Sequence, residues 1–406
     1  MKITRKFIEK LPKTDLHLHL DGSLRLKTLI ELAEENNVTL PSYTESGLKE
    51  TVFKPKYNSL NEYLKGFGYT TAVLQNESSL ERAAYELAVD NQNEGVRYIE
   101  VRFAPQLHQH THLKAINVLK AVNKGLNAAK IKFNNRKEIK SGEEPRFEYG
   151  IIVCAMRMFG HGFSEYYDDL LRVLSHGKQR RIFAIASEEL VRSAVKARDK
   201  FGLPIVGVDL AGAEDGFPAD DHEAAFDLAH KNFMKKTVHA GEAYGPESIF
   251  QAITDLHADR IGHGYYLFHE SKISNKDMNK KEKGKYIEKL QSFIADRRIT
   301  IEVCLTSNLQ TNPQLKSLKD HSFGKMLNSK LSTTFCTDNR TVSDTTVTDE
   351  IVKAVDTFNI SPKELKHLII YGFKRSFFPG QYVNKRSYVR KIIDYYEKIQ
   401  KDFKIS

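Results

Sequence analysis

Short runs of apolar and β-branched residues alternate along this chain with longer segments of helical periodicity. The runs that predict strands are Thr14–Leu20, Val96–Ala104, Tyr149–Met156, Ile205–Gly212, Lys236–Glu242, Arg260–Gly264, Ile299–Ser307 and Ser332–Thr337. Apolar residues recur at i, i+3 and i+4 in Leu80–Asn93, Lys114–Phe133, Ser187–Phe201, Asp221–Phe233 and Ser248–Leu256. Strands that alternate with helices pair in parallel, and eight such units predict a closed (β/α)8 barrel of the α/β class.

The segments outside this alternation predict additional helices. Residues 24–95 lie between the first two predicted strands and are longer than one crossover helix, so we expect a helical insert that caps the barrel mouth. Near the other end, Val389, Ile392 and Tyr396 recur at helical spacing within Tyr388–Phe403, which predicts a C-terminal helix. Because no repeat, low-complexity tract or proline-rich linker interrupts the sequence, we expect residues 1–406 to form a single domain.

The composition is that of a globular protein with an excess of basic residues. Of 406 residues, 40% are hydrophobic and 28% are charged, and 62 Lys and Arg outnumber 52 Asp and Glu, for a net charge of +10. The densest basic stretch, Ser271–Leu290, holds seven lysines but only one aromatic residue, Tyr286, and so offers no stacking platform for bases. We therefore expect a solvated helix and loop there, and no nucleic-acid partner.

The sequence gives no sign of a membrane or secreted protein. Apolar stretches such as Ile151–Met156 are far shorter than the roughly 20 residues of a membrane span. The basic segment Met1–Lys13 is not followed by the apolar run of a signal peptide. Cys154, Cys304 and Cys336 form no CxxC pair, which argues against a disulfide framework or a cysteine zinc site, and the last two are expected to be small buried residues. We expect a cytosolic enzyme without a membrane partner.

Two histidines share one face of the first predicted strand. In Thr14–Leu20, leucines alternate with His17 and His19, so both imidazoles point to the same side and are able to bind one metal ion together. By itself this pair is a weak signal, because a histidine on a partly wet strand face is often no more than a polar residue. The ends of the other predicted strands therefore decide whether the pair has a chemical role.

Groups that bind metals or transfer protons also end three other predicted strands. His239 and Glu242 end the fifth strand, His263 the sixth, and Asp338 follows the eighth together with Asn339. In a (β/α)8 barrel the catalytic residues lie at these carboxyl ends. Imidazoles and carboxylates without a thiolate suit Zn²⁺ or a similar ion in a catalytic site. Zinc would lower the pKa of bound water to about 7 and supply a hydroxide, and Glu242 is placed to protonate the leaving side.

Five short segments occur in a fixed order along the chain. They are TDLHLHLDGS at 14–23, DLAG at 209–212, HAGE at 239–242, GHGY at 262–265 and TDN at 337–339. Together they resemble the adenosine deaminase family of the metal-dependent amidohydrolase superfamily, over about residues 10–345. The cytidine-deaminase pattern of HxE with PCxxC and the HExxH metalloprotease pattern do not occur. The resemblance thus implies a barrel-type deaminase.

The resemblance assigns roles to individual residues. It implies one Zn²⁺ per chain, held by His17, His19, His239 and Asp338. Glu242 would shuttle the proton, and His263 would hold the metal-bound hydroxide. The reaction that this implies is hydrolytic deamination of adenosine, and of 2′-deoxyadenosine, to inosine and ammonia in purine salvage.

The same resemblance implies contacts with the substrate. They involve His19, Asp21 with a ribose hydroxyl, the Gly212 amide with purine N3, and Asn339 with N7. The residues alone leave a second interpretation open, because Asp21 precedes a glycine as in a turn and Gly212 is also explained as a strand-end glycine. Asn339 departs from the many adenosine deaminases that have an acid there, although some relatives share Thr-Asp-Asn-Arg. Purine N7 is an acceptor, which an amide donor meets directly.

Two other functions are compatible with the sequence. One is a related amidohydrolase deaminase acting on adenine, a 5′-modified adenosine, AMP or aminofutalosine. An enzyme that recognises a 5′-phosphate should place Lys or Arg near Asp21, whereas an acid there favours a free hydroxyl. The other is a non-catalytic purine-binding protein on the same fold, which would be expected to lack a metal ligand or Glu242. Because none of these residues is missing, we expect an enzyme.

Overall fold

The computed structural model describes residues 3–405 and contains a barrel of eight parallel strands. The strands are β1 Lys13–His19, β2 Val96–Phe103, β3 Glu148–Met156, β4 Ile205–Ala211, β5 Lys235–Ala240, β6 Arg260–His263, β7 Thr300–Val303 and β8 Thr333–Phe335. Each strand pairs in parallel with the next one along the chain. The barrel closes where the His19 N–H donates to the Asp338 carbonyl and the Asp338 N–H donates to the His17 carbonyl, both at 2.8 Å. The predicted (β/α)8 barrel is confirmed.

Helices connect the strands and add a cap. The helix before β1 is α1 Arg5–Lys10, and between β1 and β2 lie α2 Leu26–Glu35, α3 Glu45–Thr51, α4 Leu60–Leu64, α5 Phe67–Val73 and α6 Glu77–Asn93. The helices after β2 are α7 Ala115–Asn134, α8 Lys137–Lys140, α9 Glu165–Val173, α10 Gln179–Phe201, α11 Glu223–Lys231, α12 Pro246–Thr254, α13 Lys280–Arg297, α14 Leu305–Thr311, α15 Phe323–Asn328, α16 Val347–Phe358, α17 Pro362–Arg375 and α18 Tyr382–Asp402. The expected helical insert therefore contains α2–α6, and α18 is the expected C-terminal helix.

The seventh predicted strand is wrong in its second half. We expected a strand over Ile299–Ser307, but β7 ends at Val303 and helix α14 begins at Leu305. The run from Cys304 to Ser307 fits a strand pattern locally. However, the Asn308 N–H donates to the Cys304 carbonyl at 3.0 Å, which is the first hydrogen bond of helix α14. This turn brings polar side chains of α14 next to the end of β6.

Strands β5 and β6 are also shorter than predicted. They end at Ala240 and His263, so Glu242 and Gly264 lie in the loops that follow. Gly241 has a φ of +67°, in the left-handed region that glycine adopts without steric cost. Side chains in a strand alternate between its two faces, but Glu242 lies in the loop and is free of this constraint. Its side chain lines the cavity described below.

Charged side chains fill the interior of the barrel. In β2, alternate residues pack in the apolar core, while Glu100 and Arg102 cross the interior to partners on other strands. Arg102 lies 2.9 Å from Asp209 and 2.9 Å from Glu302. Arg260 lies 2.6 Å from Glu302 and also pairs with Glu100. All of these side chains are buried, and their bonds link β2, β4, β6 and β7 beneath the mouth.

Other expectations concern the surface and the cysteines. Most of Ser271–Leu290 is exposed, as expected for a solvated helix and loop. Cys304 and Cys336 are buried with free thiols, as is Cys154. Within residues 3–405, no helix has the length and apolar character needed to cross a membrane.

Candidate active site

A cavity of about 860 Å³ opens at the carboxyl ends of the strands. Barrel residues form one part of its wall, and helices α4 and α5 of the insert form another. The predicted site residues that line it are His19, Asp21, Gly212, His239, Glu242, His263, Asp338 and Asn339. His17 is fully buried, with its ring centroid 4.5 Å from that of His239. The structure thus brings every predicted site residue to one mouth, in a cavity of a size typical for small-molecule ligands.

Four of these residues form a cluster with the geometry of a metal site. His17, His239, His263 and Asp338 each place one nitrogen or oxygen atom within 4.8 Å of the others, and all four are buried. The Nε2 atoms of His17 and His263 have no hydrogen-bond partner among the described residues. Buried polar atoms without a partner are rare in folded proteins, so this arrangement fits a site that a ligand completes. Imidazole and carboxylate donors are those of a catalytic first-row metal site.

His19 lies at the edge of this cluster. Its Nε2 atom is 3.2 Å from His239 Nε2 and 3.5 Å from Asp338 Oδ1, and its side chain is 12% exposed. Two imidazole nitrogens at this distance face a common point from two strands. Together with His19, the cluster has four histidines and Asp338. This is one potential ligand more than a metal site of three histidines and one aspartate requires.

Buried carboxylates orient two of the histidines. His17 Nδ1 lies 2.8 Å from Glu302 Oε2, and His239 Nδ1 lies 3.0 Å from Asp209 Oδ2. Burial would raise the pKa of Glu302, but Arg102 and Arg260 hold it well below its ordinary value. Carboxylates bonded to the outer nitrogen of a metal-binding histidine fix its ring and tautomer. The Nε2 lone pairs of His17 and His239 are therefore directed toward the cluster.

The strand ends at the cluster have unusual backbone conformations. His263 has a φ of +64° and Asp338 a φ of +61°, in the left-handed region that residues other than glycine seldom adopt. Such conformations cost of the order of 1–3 kcal/mol and collect at functional sites. The Asp338 backbone is held there by the two hydrogen bonds that close the barrel against β1. Burial would raise the pKa of the Asp338 carboxyl, but His17, His263 and His19 hold it far below its ordinary value.

Glu242 lies beside the cluster. Its side chain is 7% exposed, and Oε1 lies 3.6 Å from His263 Nε2. Burial raises the pKa of Glu242 well above its ordinary value, and the nearby Asp338 and Glu214 carboxylates add to the effect. A raised pKa favours the protonated carboxyl, which is the form that acts as a general acid.

Glu214 is a site residue that the sequence did not reveal. Its carboxylate accepts hydrogen bonds from four consecutive backbone amides, those of residues 241–244, at 2.8, 3.0, 2.6 and 2.8 Å. The Ser248 hydroxyl, in the first turn of α12, is also bonded to it. Arg157 at the end of β3 donates to the His239 carbonyl at 2.6 Å. Two buried side chains of opposite charge thus hold the loop that carries Glu242.

Asn339 contacts the helical insert. Its Nδ2 atom donates to the Tyr63 hydroxyl at 2.7 Å, while Oδ1 is buried without a partner among the described residues. Gly22 leaves room for this amide, because a Cβ at residue 22 would lie 1.7 Å from Asn339 Oδ1. Gly22 is therefore explained by the close approach of Asn339 as well as by a turn. Asp21, the residue before this glycine, is buried, and burial raises its pKa to about 6.

Comparison with known proteins identifies relatives over most of the chain. The family model of adenosine deaminase matches residues 12–395. An adenosine deaminase of Mycobacteroides abscessus is 34% identical over 375 residues, which cover 92% of each chain. That of Clostridium acetobutylicum is 30% identical over 378 residues, covering 93% of this chain and 96% of the relative. A probable adenosine deaminase of Dictyostelium discoideum is 32% identical over 93% of this chain, which spans 42% of that longer protein.

Solved structures share the fold. A Burkholderia ambifaria amidohydrolase crystallised with bound Zn aligns with a TM-score of 0.77 at 18% identity, covering 100% of this chain and 97% of that one. An Arthrobacter aurescens adenine deaminase aligns with a TM-score of 0.70 at 21% identity, covering 95% and 99%. An Arabidopsis protein complexed with IMP aligns with a TM-score of 0.72 at 24% identity, covering 96% and 98%. On the match of the family model and of these relatives, the chain belongs to the adenosine deaminase family, a family of hydrolytic deaminases.

Proposed function

We propose that this enzyme deaminates adenosine to inosine and ammonia by hydrolysis. The observation that carries the proposal is the position of Glu242, a buried carboxyl with a raised pKa, beside a buried cluster of histidines and Asp338 in a cavity large enough for a nucleoside. Replacement of the C6 amino group requires a nucleophile at C6 and a proton for the ring nitrogen N1. The cluster and Glu242 supply groups for these two tasks within one cavity.

The metal proposed for the cluster is one Zn²⁺ ion. His17, His19, His239 and Asp338 would hold it, and the amidohydrolase of the same fold with bound Zn supports the choice of metal. A bound zinc ion lowers the pKa of the water that it coordinates to about 7 and thereby supplies a nucleophile at neutral pH. The partnerless Nε2 atom of His17 and the carboxylate bonds at Nδ1 of His17 and His239 are consistent with this ligand set.

Glu242 is proposed as the proton carrier. The raised pKa favours the protonated carboxyl, which would donate to N1 as the C6 centre becomes tetrahedral. The resulting carboxylate then accepts a proton from the attacking water and returns it to the departing amino group. His263 is proposed to align the attacking water, because its Nε2 lies 3.6 Å from the Glu242 carboxyl at the same cluster.

Polar groups around the cavity are proposed to recognise the nucleoside. Asp21 would bind a ribose hydroxyl, His19 would contact the substrate beside the metal, and the Gly212 amide would meet N3. For Asn339, turning the amide by 180° keeps the Tyr63 contact, because a hydroxyl both donates and accepts, and it gives N7 the donor that it needs. All four residues line the same cavity.

The charge of the cavity favours a nucleoside over a nucleotide. Among the described residues that line it, Lys65 is the one lysine or arginine, whereas Asp21, Asp215 and Asp338 contribute acidic groups in addition to Glu242. Phosphate recognition normally relies on arginine forks, helix N-termini or lysines. This feature supports adenosine rather than AMP, although a fold relative from Arabidopsis was crystallised with IMP.

The test is a panel of substrates, and the turnover of each one is monitored by ultraviolet absorbance. Adenosine, 2′-deoxyadenosine, 5′-methylthioadenosine, AMP and adenine are each supplied to the zinc-loaded enzyme, and kcat/KM is compared. We expect adenosine and 2′-deoxyadenosine to be the best substrates. Turnover of AMP or adenine far faster than adenosine would contradict the proposal and favour a related deaminase, and binding of purines without any turnover would favour the non-catalytic alternative.

A further inference from the structure

We propose that Asn308 and His321 are positioning residues that keep the ring proton of His263 on Nε2. In this tautomer His263 donates a hydrogen bond into the site and does not bind the metal. The inference rests on the proposed function, because it assigns the role of one residue at the proposed zinc centre. It also decides which histidine in the crowded cluster is not a ligand.

The His321 ring accepts a hydrogen bond from a backbone N–H, a group that only donates. The Phe323 N–H, at the start of α15, donates to His321 Nδ1 at 3.0 Å. A nitrogen that accepts a hydrogen bond carries no proton, so the proton of the His321 ring lies on Nε2. His321 is buried and therefore depends on its protein partners.

The next bond fixes the orientation of an amide. His321 Nε2 lies 3.1 Å from Asn308 Oδ1, so the ring N–H donates to that oxygen. With Oδ1 occupied in this way, the NH2 group of Asn308 faces the opposite side. There Nδ2 lies 3.2 Å from His263 Nδ1. An amide NH2 only donates, so His263 Nδ1 accepts and the proton of the His263 ring lies on Nε2.

At the two proposed ligands His17 and His239, the group behind the ring is a hydrogen-bond acceptor, not a donor. Their Nδ1 atoms face the carboxylates of Glu302 and Asp209, which only accept, so their ring protons lie on Nδ1. Each of these two rings then presents a lone pair to the cluster, whereas the His263 ring presents an N–H. The donor and acceptor character of the group behind each ring therefore distinguishes a ligand from a hydrogen-bond donor, although the distances within the cluster do not.

This arrangement suits the proposed chemistry. The Nε2 atom of His263 is buried, has no partner among the described residues and lies 3.6 Å from Glu242 Oε1. An N–H at this position is able to hold a lone pair of the attacking water while Glu242 handles its proton. A lone pair there would compete with His19 for the metal and leave the water without this donor.

The direct test is nuclear magnetic resonance of the histidine side chains. The zinc-loaded enzyme is labelled with ¹⁵N at histidine, and the His263 signals are assigned by their loss in His263→Gln. We expect a protonated Nε2 and an unprotonated, metal-free Nδ1 in the wild type. A proton on Nδ1, or an Nε2 signal shifted by zinc coordination, would overturn the proposal. This readout depends neither on folding of a variant nor on the identity of the substrate.

The kinetic test uses Asn308→Asp, which replaces the NH2 donor by a carboxylate of the same shape. The variant should move the ring proton of His263 to Nδ1, and kcat should fall at least about tenfold because the donor is lost. Zinc content should stay at one per chain, and inhibition by the product inosine should change less than about threefold, because the ligands and most substrate contacts are unchanged.

The matched control is Asn312→Asp, the same substitution at the C-cap of α14, where the side chain accepts from the Gln314 N–H at 3.0 Å. Its kcat should stay within about twofold of wild type. If the spectrum of Asn308→Asp shows the Nδ1 proton while kcat stays at the wild-type value, the tautomer has no role in turnover and the proposal fails. Failure of the proposed function is distinguishable, because the wild type would then not deaminate adenosine in the same assay.

Discussion

The two ends of the barrel both bury charged groups, but they differ in where the polar atoms without partners lie. Near the amino ends of the strands, Lys13 donates to three carbonyls at 2.8, 3.1 and 3.0 Å, and Arg260 bonds to Glu100, Glu302 and the Arg375 carbonyl. At the mouth, Nε2 of two buried histidines and Oδ1 of a buried asparagine have no partner among the described residues. Near the amino ends, Arg97 Nε, the Tyr98 hydroxyl and Thr333 Oγ1 also lack a partner, but these residues belong neither to the cavity nor to the cluster of histidines and Asp338. At the mouth, the atoms without partners lie together at one site.

Convergence on one site therefore distinguishes the groups that await a ligand from isolated polar atoms without partners. A buried polar group without a partner costs about 1–3 kcal/mol, so such groups collect where a ligand or metal completes them. Clusters of buried charge alone would not have located the site, because both ends have them.

Loss of the metal should have the largest effect. Treatment with a strong chelator should abolish turnover, and Zn²⁺ should restore it. His17→Ala and Asp338→Ala should each prevent metal retention, because each removes a proposed ligand from a site of four. Metal content by elemental analysis and turnover are measured on the same preparations. The exposed His257→Ala serves as control, and full activity of verified metal-free protein would contradict the mechanism.

Glu242→Gln should lower kcat by about 10²–10⁴-fold, because an amide cannot donate the proton to N1 at neutral pH. Zinc should stay bound, and inosine affinity should change far less than turnover, since ligands and binding groups are kept. The control is Glu247→Gln, a carboxylate of the neighbouring helix α12 that bonds to the Ser274 N–H at 2.9 Å. Turnover of Glu242→Gln within a few-fold of wild type would remove Glu242 from the mechanism.

Glu214→Gln should lower kcat by about 10–100-fold, because an amide in place of the carboxylate sets an NH2 donor against the backbone N–H groups of the loop. The double variant with Glu242→Gln should show no further loss if Glu214 acts by holding Glu242 in place. We would measure kcat, KM and zinc content for the single and double variants, with Glu247→Gln again as control. Independent, additive losses would contradict a role through Glu242.

Lys13→Met should affect stability and leave the chemistry intact. The substitution removes the donor for three carbonyls, and two of these hydrogen bonds are buried, so the free energy of unfolding should fall by about 1–3 kcal/mol. The kcat of the folded variant should stay within about twofold of wild type, because Lys13 lies at the opposite end of the barrel. Denaturant unfolding measures the loss, and the exposed Lys10→Met is the control. A large fall in kcat at unchanged stability would contradict the division between the two ends.

Local pattern was sufficient to predict the elements and the candidate residues. All eight strands were located because apolar and β-branched runs alternate with helical periodicity, and the strand ends carried the chemical groups. The seventh strand was overextended because Cys304, Leu305 and Thr306 also fit a strand. Periodicity carries no information about the hydrogen bond that starts α14, so the helix and its polar face were missed.

The residues that support the site were missed for a different reason. Glu214 lies in a loop, and nothing near it in sequence shows that its carboxylate accepts from the amides of residues 241–244. In the sequence, Asn308 and His321 have no feature that distinguishes them from other polar residues. Only the fold shows that Asn308 contacts His263 and that His321 contacts Asn308. One signal was available for Arg102 and Glu302, since a charged residue within an apolar strand points to an interior partner. The identity of that partner depends on the closed barrel.

Closure of the barrel has a consequence for the order of events during synthesis of the chain. Asp15 in the first strand bonds to Thr337 after the last strand, although the two are 322 residues apart in sequence. The proposed ligands His17 and Asp338 flank this seam, so a nascent chain that has not yet released β8 from the ribosome lacks a complete site. The metal is therefore expected to be captured only after β8 and Asp338 have left the ribosome, and it would then join the first strand of the protein to the last.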